Sequence, residues 1–178
     1  MDIHEYQAKE LLSKRGVKTL RSILCHKPEE VYDAYKSLLS TVAVVKAQVH
    51  AGGRGKGGGV KIAKSADEAK SIAEKMLGMN LVTAQTGKEG KTVRKVLVEE
   101  GAEIIKEFYL SLTIDRKNAG IAFVVSADGG MEIEEVSKNN PEKILTVSIN
   151  PLYGLKSYHI LEISLFLGID KNLHGGFS

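Results

Sequence analysis

The sequence predicts an α+β protein of two lobes with antiparallel sheets flanked by helices. Three observations carry that prediction. Helical segments mix with strands joined as hairpins, which argues against a doubly wound parallel sheet. A glycine-dense loop at residues 52–59 is followed by Val60-Lys61-Ile62-Ala63, which alternates like a strand and shows no helical period. The length of 178 residues allows one substantial domain or two small lobes.

Taken in order, Asp2 with Glu5 fits a capping box for a helix over residues 6–15, with Tyr6, Leu11 and Leu12 near one face and Gly16 as the stop. Pro28-Glu29-Glu30 opens a second helix to about residue 39, with proline in the first turn and acids at the positive end of the dipole. Residues 42–49 are the first clear strand, and 60–63 the second, across the glycine loop. Ser65 with Glu68 is another capping box, for a helix to about residue 77 before Gly78. Residues 81–85 read as a short strand, 88–91 as a turn and 94–99 as a strand ending in acids. Residues 105–115 and 121–127 form a hairpin around Asn118-Ala119-Gly120. Residues 131–136 read as a strand after Gly129-Gly130, with Glu132, Glu134 and Glu135 on a solvated face. Asn139-Asn140-Pro141 is a break, 144–149 a strand, and 158–167 a last helix closed by Gly168.

Composition narrows the function classes. A net charge of +3 with no long basic run does not argue for nucleic acid. No apolar run reaches the ~18–20 residues of a membrane span. Cys25 is the single cysteine, which excludes an intrachain disulfide and suits a reducing compartment; it reads as a core thiol. Met1-Asp2-Ile3-His4-Glu5 has no apolar or basic leader character, so the expected location is the cytoplasm. His4, His26, His159 and His174 show no metal-ligand spacing.

The chemistry concentrates at residues 44–59. Six of the eight residues from 52 to 59 are glycine, out of eighteen in the chain. Such density lets backbone N–H groups approach a ligand, and Arg54 and Lys56 add positive charge. Gly53-x-Gly55-x-x-Gly58 matches a dinucleotide fingerprint by letter but lacks the helix it requires, and the Walker pattern fails at His50 and Gly57. The loop therefore reads as a flexible flap between antiparallel strands, lying over the phosphates of a nucleotide. Alternation places Ala43, Val45, Ala47 and Val49 on a core face and Val44, Lys46, Gln48 and His50 on the other. Lys46 then points towards what the flap covers, as a point charge for phosphate oxygens. Arg54 is a fork donor for the same oxygens. His50 reads as a structural cap of the loop. Over residues 105–115, Phe108, Leu110, Leu112 and Ile114 form an apolar face, and Glu107 lies on the polar one, able to accept from ribose hydroxyls or hold a cation. Val98-Glu99-Glu100-Gly101-Ala102 is a candidate interlobe segment offering backbone groups to a purine edge.

Six motifs stand along the chain: His4-Glu5-Tyr6-Gln7-Ala8-Lys9, Val45 to Lys56, Leu81-Val82-Thr83-x-Gln85-Thr86, Val96-Leu97-Val98-Glu99, Lys106-Glu107-Phe108-Tyr109-Leu110 and Gly129-Gly130-x-Glu132-Ile133-Glu134. Together they resemble the beta subunit of succinyl-CoA synthetase, or succinate–CoA ligase. The similarity runs along the whole chain. It implies an ATP-grasp fold, with about 20–100 as the first lobe and 1–19 plus about 103–178 as part of the second. It also implies that Lys46, Gly53, Arg54 and Gly55 contact the phosphates of ATP. Glu99 and Ala102 would lie at the adenine, the latter through its backbone, and Glu107 on the ribose and phosphate side. In that family ATP phosphorylates a histidine of the partner alpha subunit, the phosphoryl group passes to succinate, and coenzyme A displaces phosphate. The family's magnesium ligands and C-terminal domain would fall after Ser178, so the chain is expected to be truncated and no residue here is assigned a catalytic or metal-binding role. Two alternatives stay open: a non-catalytic nucleotide- or partner-binding fragment, and another acyl-CoA ligase of the malate–CoA type.

Overall fold

The computed structural model describes residues 2–130 and 133–170, and contacts divide the chain into two compact units, Met1–Glu103 and Ile104–Ser178. The first unit contains α1 (Glu5–Lys14), β1 (Ser22–Cys25), α2 (Pro28–Ser37), β2 (Ala43–Ala47), β3 (Val60–Ala63), α3 (Ala66–Met76), β4 (Asn80–Leu81), β5 (Lys91–Thr92) and β6 (Val96–Glu100). Its main sheet has the order β1-β6-β2-β3, with every pairing antiparallel. Register sets the faces: Val45 opposes Val98 and Ala47 opposes Val96, and all four are fully buried. Val31 and Ala34 of α2 with Ala69, Ala73 and Met76 of α3 close this core. Each buried valine contributes roughly 1.5–3 kcal/mol, so the alternation of β2 and β6 decides which face is dry. The other face carries Lys46, Leu97 and Glu99 and receives α1.

The second unit holds β7 (Tyr109–Asp115), β8 (Gly120–Ser126), α4 (Ile133–Asn139), a 3₁₀ turn (Pro141–Lys143), β9 (Ile144–Ile149) and α5 (Ser157–Phe166). The strands form an antiparallel meander in the order β7-β8-β9. Val125, Val147, Ile163 and Leu167 are its core. The β7–β8 turn is held by the Asp115 carboxylate, which accepts from the side chain of Asn118 at 2.7 Å and from Ser148 Oγ at 2.9 Å.

Several expectations change. Of the strand expected at 131–136, residues 133–136 are helical instead: α4 starts at Ile133, with Glu134 and Glu135 in its first turn, where acids favour the positive end of the helix dipole. Met131, Glu132 and His174 lie outside the described residues. The strand expected at 81–85 shrinks to β4, because Thr83 and Thr86 bond locally instead. Thr83 N–H donates to Thr86 Oγ1 at 2.8 Å, and Thr86 N–H donates to Thr83 Oγ1 at 3.3 Å. The N-cap of α1 is His4, whose backbone N–H donates to Gln7 Oε1 at 2.9 Å; the Asp2–Glu5 box is not used. Leu11 and Leu12 of α1 are exposed, and no residue of α1 is fully buried. The partners of Glu5, Tyr6 and Lys9 lie within the first unit. In the second unit, Leu110, Leu112 and Ile114 of β7 are exposed. They share a face with Val125, but α5 contacts β9, and the core it forms draws on β8 and β9.

The Ser65 cap forms as expected, its Oγ accepting from Glu68 N–H at 3.1 Å. Ser65→Ala should cost about 1 kcal/mol, read as a lower urea midpoint with an unchanged slope. Cys25 is fully buried; burial first, and then the Glu30 charge, pushes its thiol up to about 12. It should resist iodoacetamide at pH 8 in the native chain, where about one thiol in 10,000 is ionised at that value, and react fully in guanidinium.

Candidate functional site

A chain of alternating charges crosses the polar face of the first sheet. Val44 opposes Glu99 and Lys46 opposes Leu97, so Lys46 and Glu99 are diagonal neighbours on one face, within reach of a long side chain. Lys46 Nζ donates to Glu99 Oε1 at 2.5 Å and to Glu5 Oε1 at 3.1 Å. Lys9 of α1 makes a further hydrogen-bonded ion pair with the other oxygen of Glu99. Arg54 closes the series: one guanidinium nitrogen donates to Glu5 Oε2 at 2.7 Å and the other to the Ala47 carbonyl at 2.7 Å. The order Lys9, Glu99, Lys46, Glu5, Arg54 thus alternates in sign, with three cations against two carboxylates.

Burial would raise the carboxyl of Glu5, but the Lys46 charge and the Arg54 hydrogen bond outweigh it and hold it below the ordinary value of 4.5. Burial likewise opposes the charge on Lys46, yet its bonds to Glu99 and Glu5 raise it above its ordinary range. Gln48 is buried: its Oε1 accepts from Tyr6 N–H at 3.3 Å and its Nε2 donates to the Lys46 carbonyl at 3.3 Å. His50 stacks on His4 with ring centroids 3.8 Å apart, and its carbonyl accepts from Lys91 Nζ at 3.0 Å. Burial first, then the Lys95 and His50 charges, lowers His4 below 6.5.

The glycine loop is folded back. Gly57 N–H donates to the Gly53 carbonyl at 3.2 Å, Gly59 N–H to the Arg54 carbonyl at 2.7 Å, and Ala47 N–H to the Gly59 carbonyl at 2.7 Å. Gly52 N–H donates to Gln85 Oε1 at 2.6 Å. Gly53 takes φ +69°, and a Cβ on Gly57 would sit 2.7 Å from the Val82 carbonyl oxygen. Glycine serves here both to turn the chain and to let it lie against residues 81–85. A cavity of about 550 Å³, lined by Glu5, His50, Gly52, Arg54 and Gln85 among others, opens beside the loop, within the usual range of ligand pockets.

Of the residues singled out from sequence, Lys46, Arg54 and Glu99 converge directly, and Gly53 and Gly55 shape the loop that carries Arg54. Ala102 is exposed, beyond the end of β6. Glu107 belongs to the second unit, where it precedes β7 and is exposed. Its carbonyl accepts from Gly129 N–H at 3.2 Å. A Cβ on Gly129 would sit 2.5 Å from the Glu107 carbonyl carbon, which explains that glycine. Glu5 and Lys9 were missed as site residues. The only sequence signal was their place in the His4 to Lys9 motif, because their partners lie 41 to 90 residues away. Among the described residues, no three or more His, Cys, Asp or Glu side chains group to hold a metal, and no helix is long and apolar enough to cross a membrane.

The family model for the ATP-grasp domain matches residues 2–177. The succinate–CoA ligase [ADP-forming] subunit beta of Bdellovibrio bacteriovorus is 52% identical over 170 residues, covering 96% of this chain and 44% of that protein. The Campylobacter fetus protein of the same name is 54% identical over 173 residues, covering 97% and 44%. The chain therefore spans less than half the length of these curated relatives. Among solved structures, the dinucleotide-forming acetyl-coenzyme A synthetase 1 of Ca. Korarchaeum cryptofilum aligns with a TM-score of 0.68 at 17% identity, over 91% of this chain and 65% of that one. The ATP citrate lyase of Methanothrix soehngenii aligns with a TM-score of 0.64 at 22% identity, over 93% and 42%. At these identities the likeness is one of fold.

Both lowered groups give stability at neutral pH that is lost on acidification: they are depressed in the folded chain, so the unfolded chain takes up the proton first. Stability should begin to fall below pH 6.5 through His4 and fall further below 4.5 through Glu5. Urea midpoints across pH 7 to 3 read this directly, and Glu5→Gln should flatten the lower part of the curve while leaving the upper part in place.

Proposed function

The chain belongs to the ATP-grasp domain family, and on that premise we propose that it is the nucleotide-holding part of the beta subunit of a cytoplasmic, ADP-forming succinate–CoA ligase. One observation carries the reading: Lys46 and Arg54 converge on a single anionic group at 3.1 and 2.7 Å. Two cations aimed at one anion on the dry-backed face of a sheet suit a polyphosphate. Lys46 neutralises non-bridging oxygens as a point charge, and Arg54 takes two of them as a fork. Gly53 and Gly55 set the loop backbone that presents Arg54, and Glu99 orients Lys46. The resemblance adds contacts of Glu99 and of the Ala102 backbone with the adenine, and of Glu107 with the ribose and phosphate side.

In the whole enzyme the resemblance gives magnesium as the cation on the phosphates, with ligands not assigned to the described residues here. It gives an alpha subunit whose histidine takes the phosphoryl group, and succinate and coenzyme A as the later reactants. What this chain contributes is binding and charge neutralisation before transfer. The strong identity to relatives named as succinate–CoA ligase beta subunits favours succinate over malate as the acid.

Lys46→Ala should weaken Mg·ATP binding by about tenfold or more, the worth of a hydrogen bond to a charged group, and change adenosine binding by less than about twofold. Arg54→Ala should do the same. Calorimetric titration reads both ligands; equal losses for ATP and adenosine would remove these residues from the phosphates.

A further inference from the structure

We infer that Glu5 is an internal stand-in for a phosphate group, and that α1 must leave the face of the first sheet before a polyphosphate can occupy it. The inference rests on the reading of Lys46 and Arg54 as phosphate ligands. The Glu5 carboxylate is divided between them, Oε1 to Lys46 and Oε2 to Arg54, as two oxygens of one phosphate would be. A phosphate and Glu5 cannot hold the same donors at once. Two cavities flank the first turns of α1. Glu5 lines one, of about 550 Å³, and Tyr6 and Lys9 line the other, of about 470 Å³. The latter also reaches Leu24 and Leu97 on the same face of the sheet. The first turns of α1 thus lie across this face between two open spaces.

The docking of α1 is built for release. No residue of the helix is fully buried, and Leu11 and Leu12 are exposed. Its ties to the strands beneath are polar: the ion pairs of Glu5 and Lys9, bonds of Gln48 to the Tyr6 N–H and to the Glu5 carboxylate, and Lys95 against the Tyr6 ring and hydroxyl. With little apolar surface to re-expose, what α1 loses on leaving is these polar contacts, and a phosphate replaces those that Glu5 makes to Lys46 and Arg54. When it leaves, Lys46 and Arg54 exchange a carboxylate for phosphate oxygens, Glu5 and Lys9 enter water, and Glu99 keeps Lys46. A ligand without phosphate has nothing to offer the two cations and leaves α1 in place. Glu5 therefore makes occupancy depend on the ligand's phosphate charge.

The test uses inorganic tripolyphosphate and Mg·ATP on the 178-residue chain, with calorimetry and amide hydrogen exchange over α1. Saturating tripolyphosphate should raise exchange across Glu5–Lys14. Glu5→Gln should tighten tripolyphosphate about tenfold. Ala8→Gly, which alters no charge but weakens the helix by about 1 kcal/mol, should tighten tripolyphosphate up to about fivefold. That response separates displacement of α1 from the mere loss of a nearby negative charge. Unchanged or greater protection of α1 on binding would overturn the inference, as would equal affinity in Glu5→Gln and the native chain, or no binding in either. The nucleotide reading fails separately: if tripolyphosphate displaces α1 but ATP binds no tighter than tripolyphosphate, Glu5 is a phosphate mimic in a site that does not recognise a nucleoside.

Discussion

A carboxylate held almost out of water between two ammonium groups organises the functional face of this protein. Glu99 is only 4% exposed, and an uncompensated carboxylate there would cost several kcal/mol. Lys46 and Lys9 supply the compensation from opposite sides, one from the sheet and one from the helix laid over it. The arrangement depends on register. If β2 slipped by one residue, Lys46 would turn into the alanine- and valine-lined core and Val45 would turn out. The apolar face of β2 therefore fixes the charged face as well, and the hydrophobic term that stabilises the unit also positions its chemistry.

The glycine loop shows a second dependence. Its composition suggests an open flap, yet the loop is turned back on itself and lies against residues 81–85. A side chain on Gly57 would collide with the Val82 carbonyl, and one on Gly59 would crowd Leu81 and the Arg54 carbonyl. Close packing places Arg54 where its guanidinium meets both the Ala47 carbonyl and Glu5. The arginine is aimed by the end of the same strand that carries Lys46, so both cations share one rigid base. Preorganisation of this kind lowers the entropy lost when a ligand is bound.

Much of this was legible in the chain because it follows from period and spacing. The two-residue alternation of 43–49 set the buried and polar faces, Val60-Lys61-Ile62-Ala63 excluded a helix after the loop, and Ser65 with Glu68 marked the start of α3. What escaped notice was long-range or local and polar. Ile133 and Val136, three apart, suit a helix as readily as a short strand, and the helix prevails. Thr83 and Thr86 satisfy each other's backbone and end a strand that propensity would continue. β7 has an apolar face that alternation identifies, but alternation does not say that α5 leaves that strand uncovered. The role of Glu5 could not be read from its neighbours, since a first-turn glutamate has an ordinary capping use and its real partners come from β2 and the loop.

That role follows from electrostatics. Two cations brought close enough to share one phosphate also repel each other when the phosphate is absent, and the partly buried face screens them poorly. A site built from Lys46 and Arg54 alone would be held in place only at the expense of that repulsion, and its side chains would spread into solvent. A carboxylate between them removes the repulsion and keeps both donors within hydrogen-bond reach of a single point. With three cations and two carboxylates the cluster still has an excess positive charge, so it attracts an anion even while Glu5 is in place. The internal acid thus preserves the geometry of an anion site and also competes for it, and both effects come from the same two bonds.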